Sequence, residues 1–236
     1  FLRLLESVHP STHVRRRAIY LPHPVMSGVE YLAENIKNPF DLSPPCDPFV
    51  PGYGRTNGDF HVIGDHPGRH GGSETGIPFT DSESGAGLQA VLERVGLLRS
   101  PGREPEPVDL FLSYLYPCVQ QSDPTDAEYA ELAQYFDAEL RAITAHVLLP
   151  VGERPIRFVL ANCTSVPPTD VDVTEMHATE ISGGGWLVVP VAEPTTWTAS
   201  QRDALIDTIT AIRSRDYRRE SDLGRFFPGE DVYMVR

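Results

Sequence analysis

The chain has 236 residues, 40% of them hydrophobic, enough for one large domain with its own core. No apolar run reaches the roughly 18 residues that a membrane-spanning helix needs. The opening Phe1-Leu2-Arg3-Leu4-Leu5 is too short for a signal peptide, so a cytoplasmic protein is expected, with Met26 an alternative start. Twenty Lys and Arg against 33 Asp and Glu leave a charge of −13, and Lys37 is the single lysine, a balance expected of a protein working in molar salt. There counterion release contributes little, so the acidity does not exclude a nucleic-acid partner.

Residues 1–45 read as an arm carrying Arg15-Arg16-Arg17 and one helical stretch from Val29 to Ile36. Pro44-Pro45-Cys46-Asp47-Pro48 breaks any helix and marks a boundary, so the main domain is expected over 46–236. Phe60-His61-Val62-Ile63 predicts a strand running into a Gly/Pro loop, Gly64 to Gly76. Leu88, Val91, Leu92 and Val95 have helical spacing, with Gly96 as the stop. Asp109 to Tyr116 predicts a second strand, closed by Pro117. A long helix follows from Asp126 to Ile143, with Thr125 or Asp126 as its N-cap. His146 to Val151 is apolar enough for a central parallel strand, and Trp186 to Val191 gives a fourth. Ser200 to Ile212 closes as a helix burying Leu205, Ile206, Ile209 and Ile212. Strands alternating with helices predict an α/β fold, a three-layer α/β/α sandwich around a central, mainly parallel four-stranded sheet. Ligands of such sheets bind beyond the carboxyl ends of the strands, which points to the loops Gly64–Gly76, Pro117–Pro124 and Pro190–Trp197.

The sharpest local pattern is Val62-Ile63-Gly64-Asp65-His66-Pro67-Gly68 followed by Gly76-Ile77-Pro78-Phe79-Thr80. Glycines at a strand end let backbone approach a ligand, and Asp65 there faces a cleft. Phe79, held by Pro78, is suited to stack on a planar base. In order and spacing this segment resembles the first motif of the uracil-DNA glycosylase superfamily, and the resemblance runs from about Cys46 to Ile212. Val50-Pro51-Gly52-Tyr53-Gly54 is similar to the family's lead-in, Asp109 to Cys118 to its second strand, and Asp123-Pro124-Thr125 to its helix start. Val147 to Gly152 is similar to its third strand, and Val189-Pro190-Val191-Ala192-Glu193-Pro194 stands where the family has its second catalytic motif. Among its branches the haloarchaeal one is the most similar, which agrees with the scarcity of lysine and implies an archaeal source.

The resemblance implies a DNA-repair glycosylase that flips a uracil or another deaminated base out of DNA and hydrolyses its glycosidic bond. It implies Asp65 as the carboxylate for water and sugar, and a substrate-binding turn with Gly64, Pro67 and Gly68, where backbone N–H groups around Gly64 to Gly68, and His66, lie near the departing base. Phe79 is the stacking ring. The family's second-motif His is Glu193 here, and its uracil-reading Asn is Tyr114. Of four cysteines that hold an iron–sulfur cluster in thermophile members, Cys46 and Cys118 lie near matching positions. Ser43 and Leu132 or Ala133 stand at the other two, so no cluster and no other cofactor is expected. By themselves, the cysteines Cys46, Cys118 and Cys163 read as small buried hydrophobes.

For DNA contact the candidates are Pro194, Trp197, Arg213 and Arg215, the last two in a basic cluster with Arg218 and Arg219. Trp197 either wedges into a duplex or packs in the core, and the arginines either hold phosphates or pair with acidic groups of their own chain. His61, His66 and His70 are close in sequence without the spacing of a closed metal site, so no metal is expected. The expected partner is DNA containing deaminated bases, met by a monomer with no membrane contact. The alternative is an inactive glycosylase fold kept as a DNA- or protein-binding module. A nucleotide-binding enzyme is disfavoured because Gly64 to Gly76 contains no phosphate-loop G-K-[ST].

Overall fold

The computed structural model describes residues 36–167 and 171–215. Arg15-Arg16-Arg17, Met26, most of the expected stretch Val29–Ile36, and Arg218 and Arg219 lie outside the described residues. The four expected strands are present as β3 (Phe60–Gly64), β4 (Leu110–Tyr114), β5 (Val147–Pro150) and β7 (Trp186–Val188). They pair in parallel in the order β4-β3-β5-β7. Three short antiparallel strands, β1 (Ile36–Lys37), β2 (Tyr53–Gly54) and β6 (Ile181–Gly183), extend the sheet to seven. Residues 36–45, read from the sequence as arm, thus contribute β1 to the sheet.

Every residue of β3, β4 and β5 is buried, because helices cover both faces, which is why these strands are apolar runs. On one face α2 (Glu83–Arg94) and α5 (Ala199–Ser214) bring Leu88, Leu92, Leu205 and Ile209 against Val62, Leu112 and Leu149. On the other, α3 (Asp126–Ala142) and α4 (Glu153–Cys163) bring Phe136, Leu140, Ile156 and Leu160 against Ile63 and Leu148. The result is a three-layer α/β/α sandwich. Thr125 caps α3 with a capping box, its side chain accepting from the Glu128 N–H while the Glu128 carboxylate accepts from the Thr125 N–H. Helix α4 was missed in the sequence, although Pro155, Ile156, Val159, Leu160 and Cys163 have helical spacing; Pro150 and Pro155 hid it, and Pro155 is tolerated because it lies in the first turn.

The connections place the crevice. After β3 the chain moves to β4 on one side, then crosses back to β5 on the other and continues outward to β7. The loops leaving β3 and β5 therefore diverge, and such a switch point opens a crevice at the strands' carboxyl ends. Asp65 follows β3 and α4 begins just after β5, so both face it.

Away from that crevice, a polar cluster is buried under α3. His61 Nε2 lies 2.8 Å from the Ser113 hydroxyl, and Glu139, 5% exposed, accepts a hydrogen bond from Ser113. Burial lowers His61 to about 3 and, against the Ser113 bond, raises the Glu139 carboxyl to about 8. A carboxyl raised on folding stabilises fully below its unfolded value of 4.5 and loses that contribution as the pH rises through about 8. His61, lowered on folding, acts in the opposite sense, but only below its unfolded value of 6.5. Between pH 6.5 and 8 the wild type should lose about 2 kcal/mol that Glu139→Gln does not lose. Paired thermal melts check this as a difference in Tm of roughly 4–8 °C, and identical slopes for the two proteins would refute it.

Candidate active site

Gly64 ends β3 with no side chain because none fits: a Cβ there would stand 2.6 Å from the rings of both Phe79 and Tyr114. The next residue, Asp65, is 4% exposed and lies in a cleft of about 600 Å³. The Tyr129 hydroxyl, from α3, donates to Asp65 Oδ1. Arg154 Nε, from the first turn of α4, lies 3.9 Å from the same oxygen, and Arg69 Nη1 lies 4.0 Å from Oδ2. Arg154 also sits 4.1 Å over the Tyr129 ring, a cation–π contact that orders both side chains. Burial, and then the Asp65 hydrogen bond and charge, push the Tyr129 phenol well above its ordinary value. Three elements thus converge on one carboxylate.

His66 shares the cleft with its Nε2 3.7 Å from Asp123 Oδ1. Burial lowers its pKa, with the neighbouring carboxylates of Asp65 and Asp123 opposing. Pro67 starts the short helix α1 (Pro67–His70) with no N–H to satisfy, and Gly68 packs close to the His66 ring. Asp65, His66, Pro67 and Gly68 therefore form one turn.

The remaining expected residues go elsewhere. Phe79 is fully buried and does not line the Asp65 cleft. The His70 ring stacks on it at 5.3 Å and 22°, and the Tyr114 ring lies 5.3 Å away. Tyr114 accepts the Phe79 N–H at 2.7 Å and donates to the Gly71 carbonyl at 3.0 Å. The ring expected to stack on a base thus stacks on the protein's own histidine, and the Tyr hydroxyl joins two backbone groups.

Glu193, at the second-motif position, is held by donors of its own chain. It accepts from Arg69 at 3.0 Å and from Ser84 at 2.7 Å, and its Oε2 lies 3.2 Å from His70 Nε2. His70 Nδ1 accepts the Asp65 N–H at 3.0 Å, so Nε2 carries the proton and donates to Glu193. His70 thereby couples the Asp65 backbone to the second-motif carboxylate. The three neighbouring histidines part company: His61 under α3, His66 in the cleft, His70 on Phe79.

The expected DNA contacts are occupied within the chain. Pro194 is buried, and the Trp197 indole donates to the Ala192 carbonyl at 2.9 Å while packing on the core. Arg213 donates to the Val95 carbonyl and Arg215 pairs with Glu180. Of the described arginines of that cluster, Arg215 adopts the pairing with an acidic group, and Arg213 bonds a backbone carbonyl. Sequence reasoning missed Tyr129, Arg154 and Arg69, although Arg69 lies inside the loop Gly64–Gly76 that the sequence singles out.

Cys46 and Cys118 form a disulfide, in place of the small buried hydrophobes expected, while Cys163 is a buried thiol. Leu132 packs against this pair, and Ser43 supplies no thiol. The donor set does not fit a cubane cluster, which needs four such ligands.

A three-layer sandwich with a carboxylate and glycine turn at its switch point defines a class, and comparison gives the family. The model of the uracil DNA glycosylase superfamily matches residues 51–211, and the chain belongs to that superfamily. It is similar to the Type-5 uracil-DNA glycosylase of Thermus thermophilus, 31% identical over 119 residues, covering 48% of this chain and 54% of that protein. The protein of the same name from Mycobacterium bovis is 31% identical over 104 residues, covering 42% of this chain and 39% of that one. The one from Mycobacterium leprae is 29% identical over 106 residues, covering 42% and 45%. The chain spans about half the length of the curated relatives it matches. Among the described residues no helix is long and apolar enough to cross a membrane.

Burial opposes the Glu193 charge, but the bonds from His70, Ser84 and Arg69 outweigh it and hold the carboxyl down to about 2. A carboxyl lowered on folding stabilises above its unfolded value of 4.5 and loses that contribution as the pH falls through about 2. Glu193→Gln should therefore remove about 3 kcal/mol of the acid-side loss, read from Tm against pH. An unaltered acid limb would mean that the carboxylate is not held by these donors.

Proposed function

We propose that the protein is a DNA glycosylase that hydrolyses the N-glycosidic bond of uracil, or another deaminated base, flipped out of DNA. The observation that carries this reading is the Asp65 carboxylate, 4% exposed and oriented by Tyr129 at the floor of the cleft. As the C–N bond breaks, positive charge grows on the sugar and negative charge on the base. A fixed carboxylate beside the sugar stabilises the first and takes the proton of the attacking water. His66, on the same wall, is the side chain proposed to donate to the departing base. Arg69, Arg154 and Arg157 supply the positive groups for the backbone. This chemistry uses no metal and no redox group.

A second reading, a catalytically silent DNA- or protein-binding module, is favoured by one observation: Phe79 is covered by His70 and Tyr114. Single-turnover excision separates the two, using uracil and hypoxanthine oligonucleotides, single-stranded and duplex, in molar KCl to suit the acidic, lysine-poor composition. Alkali-labile sites are expected with the wild type, and Asp65→Ala should slow their formation by about 100- to 10,000-fold. A folded wild type that leaves every substrate intact would sink the enzyme reading and leave the module.

A further inference from the structure

The covering of Phe79 raises the question of where a flipped base goes, and the Asp65 cleft supplies a wall for it. One stripe of α4, with residues at spacings of three and four, faces the cleft: Arg154, Arg157, Phe158 and Asn162. Phe158 is half-buried, its ring edge-on to Phe136 at 5.5 Å, so it is held firmly while part of it remains accessible. The Arg154 guanidinium lies with one face on Tyr129, and its outer side is exposed. Arginine planes and aromatic rings are the two surfaces on which unstacked bases settle.

At the far end of the stripe stands Asn162. Its Nδ2 donates to the Phe158 carbonyl at 2.8 Å, which orients the exposed amide. A carboxamide offers a donor and an acceptor side by side, the complement of an N–H flanked by a carbonyl. Deamination creates that edge, replacing an exocyclic amine by a carbonyl beside a ring N–H. Arg154 to Asn162 is eight residues, about 12 Å of helix axis. A nucleoside laid along the stripe, sugar toward Asp65 and base edge toward Asn162, is of about that length.

Charge is compatible with one phosphate beside it. Arg157 pairs with Glu153 at 3.0 Å and Arg154 with Asp126 at 2.8 Å, both exposed pairs. Exposed pairs contribute little and exchange readily for a phosphate. Asp65, Asp123 and Glu153 keep the cleft from being a general anion site, so a single nucleotide with a neutral base suits it better than a polyanion.

Resting on the glycosylase reading, we propose that the flipped deaminated nucleotide is received against α4, its base stacked along Arg154 and Phe158 and read by Asn162, and not against Phe79. Asn162 then does the reading for which Tyr114 has no amide.

The test measures binding apart from excision. Asp65→Asn protein is titrated with 2′-deoxyuridine 5′-monophosphate, and with 2′-deoxycytidine 5′-monophosphate, which lacks the ring N–H, by calorimetry and by backbone NMR. Saturable binding of the uridine nucleotide is expected, with shifts along α4 and weaker binding of the cytidine nucleotide. Adding Asn162→Ala should weaken uridine binding by roughly five- to tenfold, and Phe158→Ala by at least about fivefold. Arg103→Ala serves as the control, since Arg103 pairs with Asp81 at 2.7 Å in the groove on the α2 side and should change nothing. Absence of saturable binding, shifts confined to Phe79 and its neighbours, or binding indifferent to both α4 substitutions would overturn the proposal. If the wild type excises nothing yet this α4-dependent binding holds, the enzyme reading fails and the site stands. If excision proceeds unchanged in Asn162→Ala and Phe158→Ala, the enzyme reading stands and the site fails.

Discussion

The close contact of β3 with two aromatic rings at Gly64 is the constraint from which the site follows. Gly64 lies opposite Tyr114 in the parallel register, and Phe79 returns over the same spot. With no Cβ between them, the Phe79 and Tyr114 rings close on the strand end and seal the core. The chain then turns outward, and Asp65 is the first side chain beyond the sealed layer. It points into the crevice because the loops after β3 and β5 diverge there.

That carboxylate organises its neighbours. A buried charge persists only when hydrogen-bonded and paired, and Asp65 obtains this from Tyr129, Arg154 and Arg69. Its own N–H goes to His70, which passes through to Glu193, so the first motif and the second are connected through one imidazole. The second-motif position therefore acts through the scaffold: Glu193 holds His70 and Arg69 while they support Asp65. The same histidine covers Phe79, which joins the stability of the turn to the burial of that ring.

Most of the fold could be read in the chain. The four parallel strands were legible because burial on both faces demands uninterrupted apolar runs, and α3 was legible because Thr125 and Asp126 offer an N-cap directly after Pro124. Helix α4 was hidden by Pro150 before it and Pro155 in its first turn, and with it went one wall of the cleft. The short strands β1, β2 and β6 carry two or three residues each, too few for a period to register. Of the site, Asp65 and His66 were legible because they sit within one turn. Tyr129 and Arg154 were not, since they stand 64 and 89 residues further along the chain and nothing local to either marks a partner.

The sequence by itself determined the alternating α/β order, the glycine turn with its carboxylate, and the three cysteines, of which Cys46 and Cys118 alone stand near the family's cluster-ligand positions. Those follow from local composition and spacing, which act over a few residues. Only the tertiary structure decided that Cys46 bonds Cys118, that Phe79 is roofed by His70, that Arg213 and Arg215 serve the chain's own groups, and that α4 faces Asp65. Each depends on which distant segments meet across the sheet, and that is settled by packing on its two faces and by the order in which its strands are laid down.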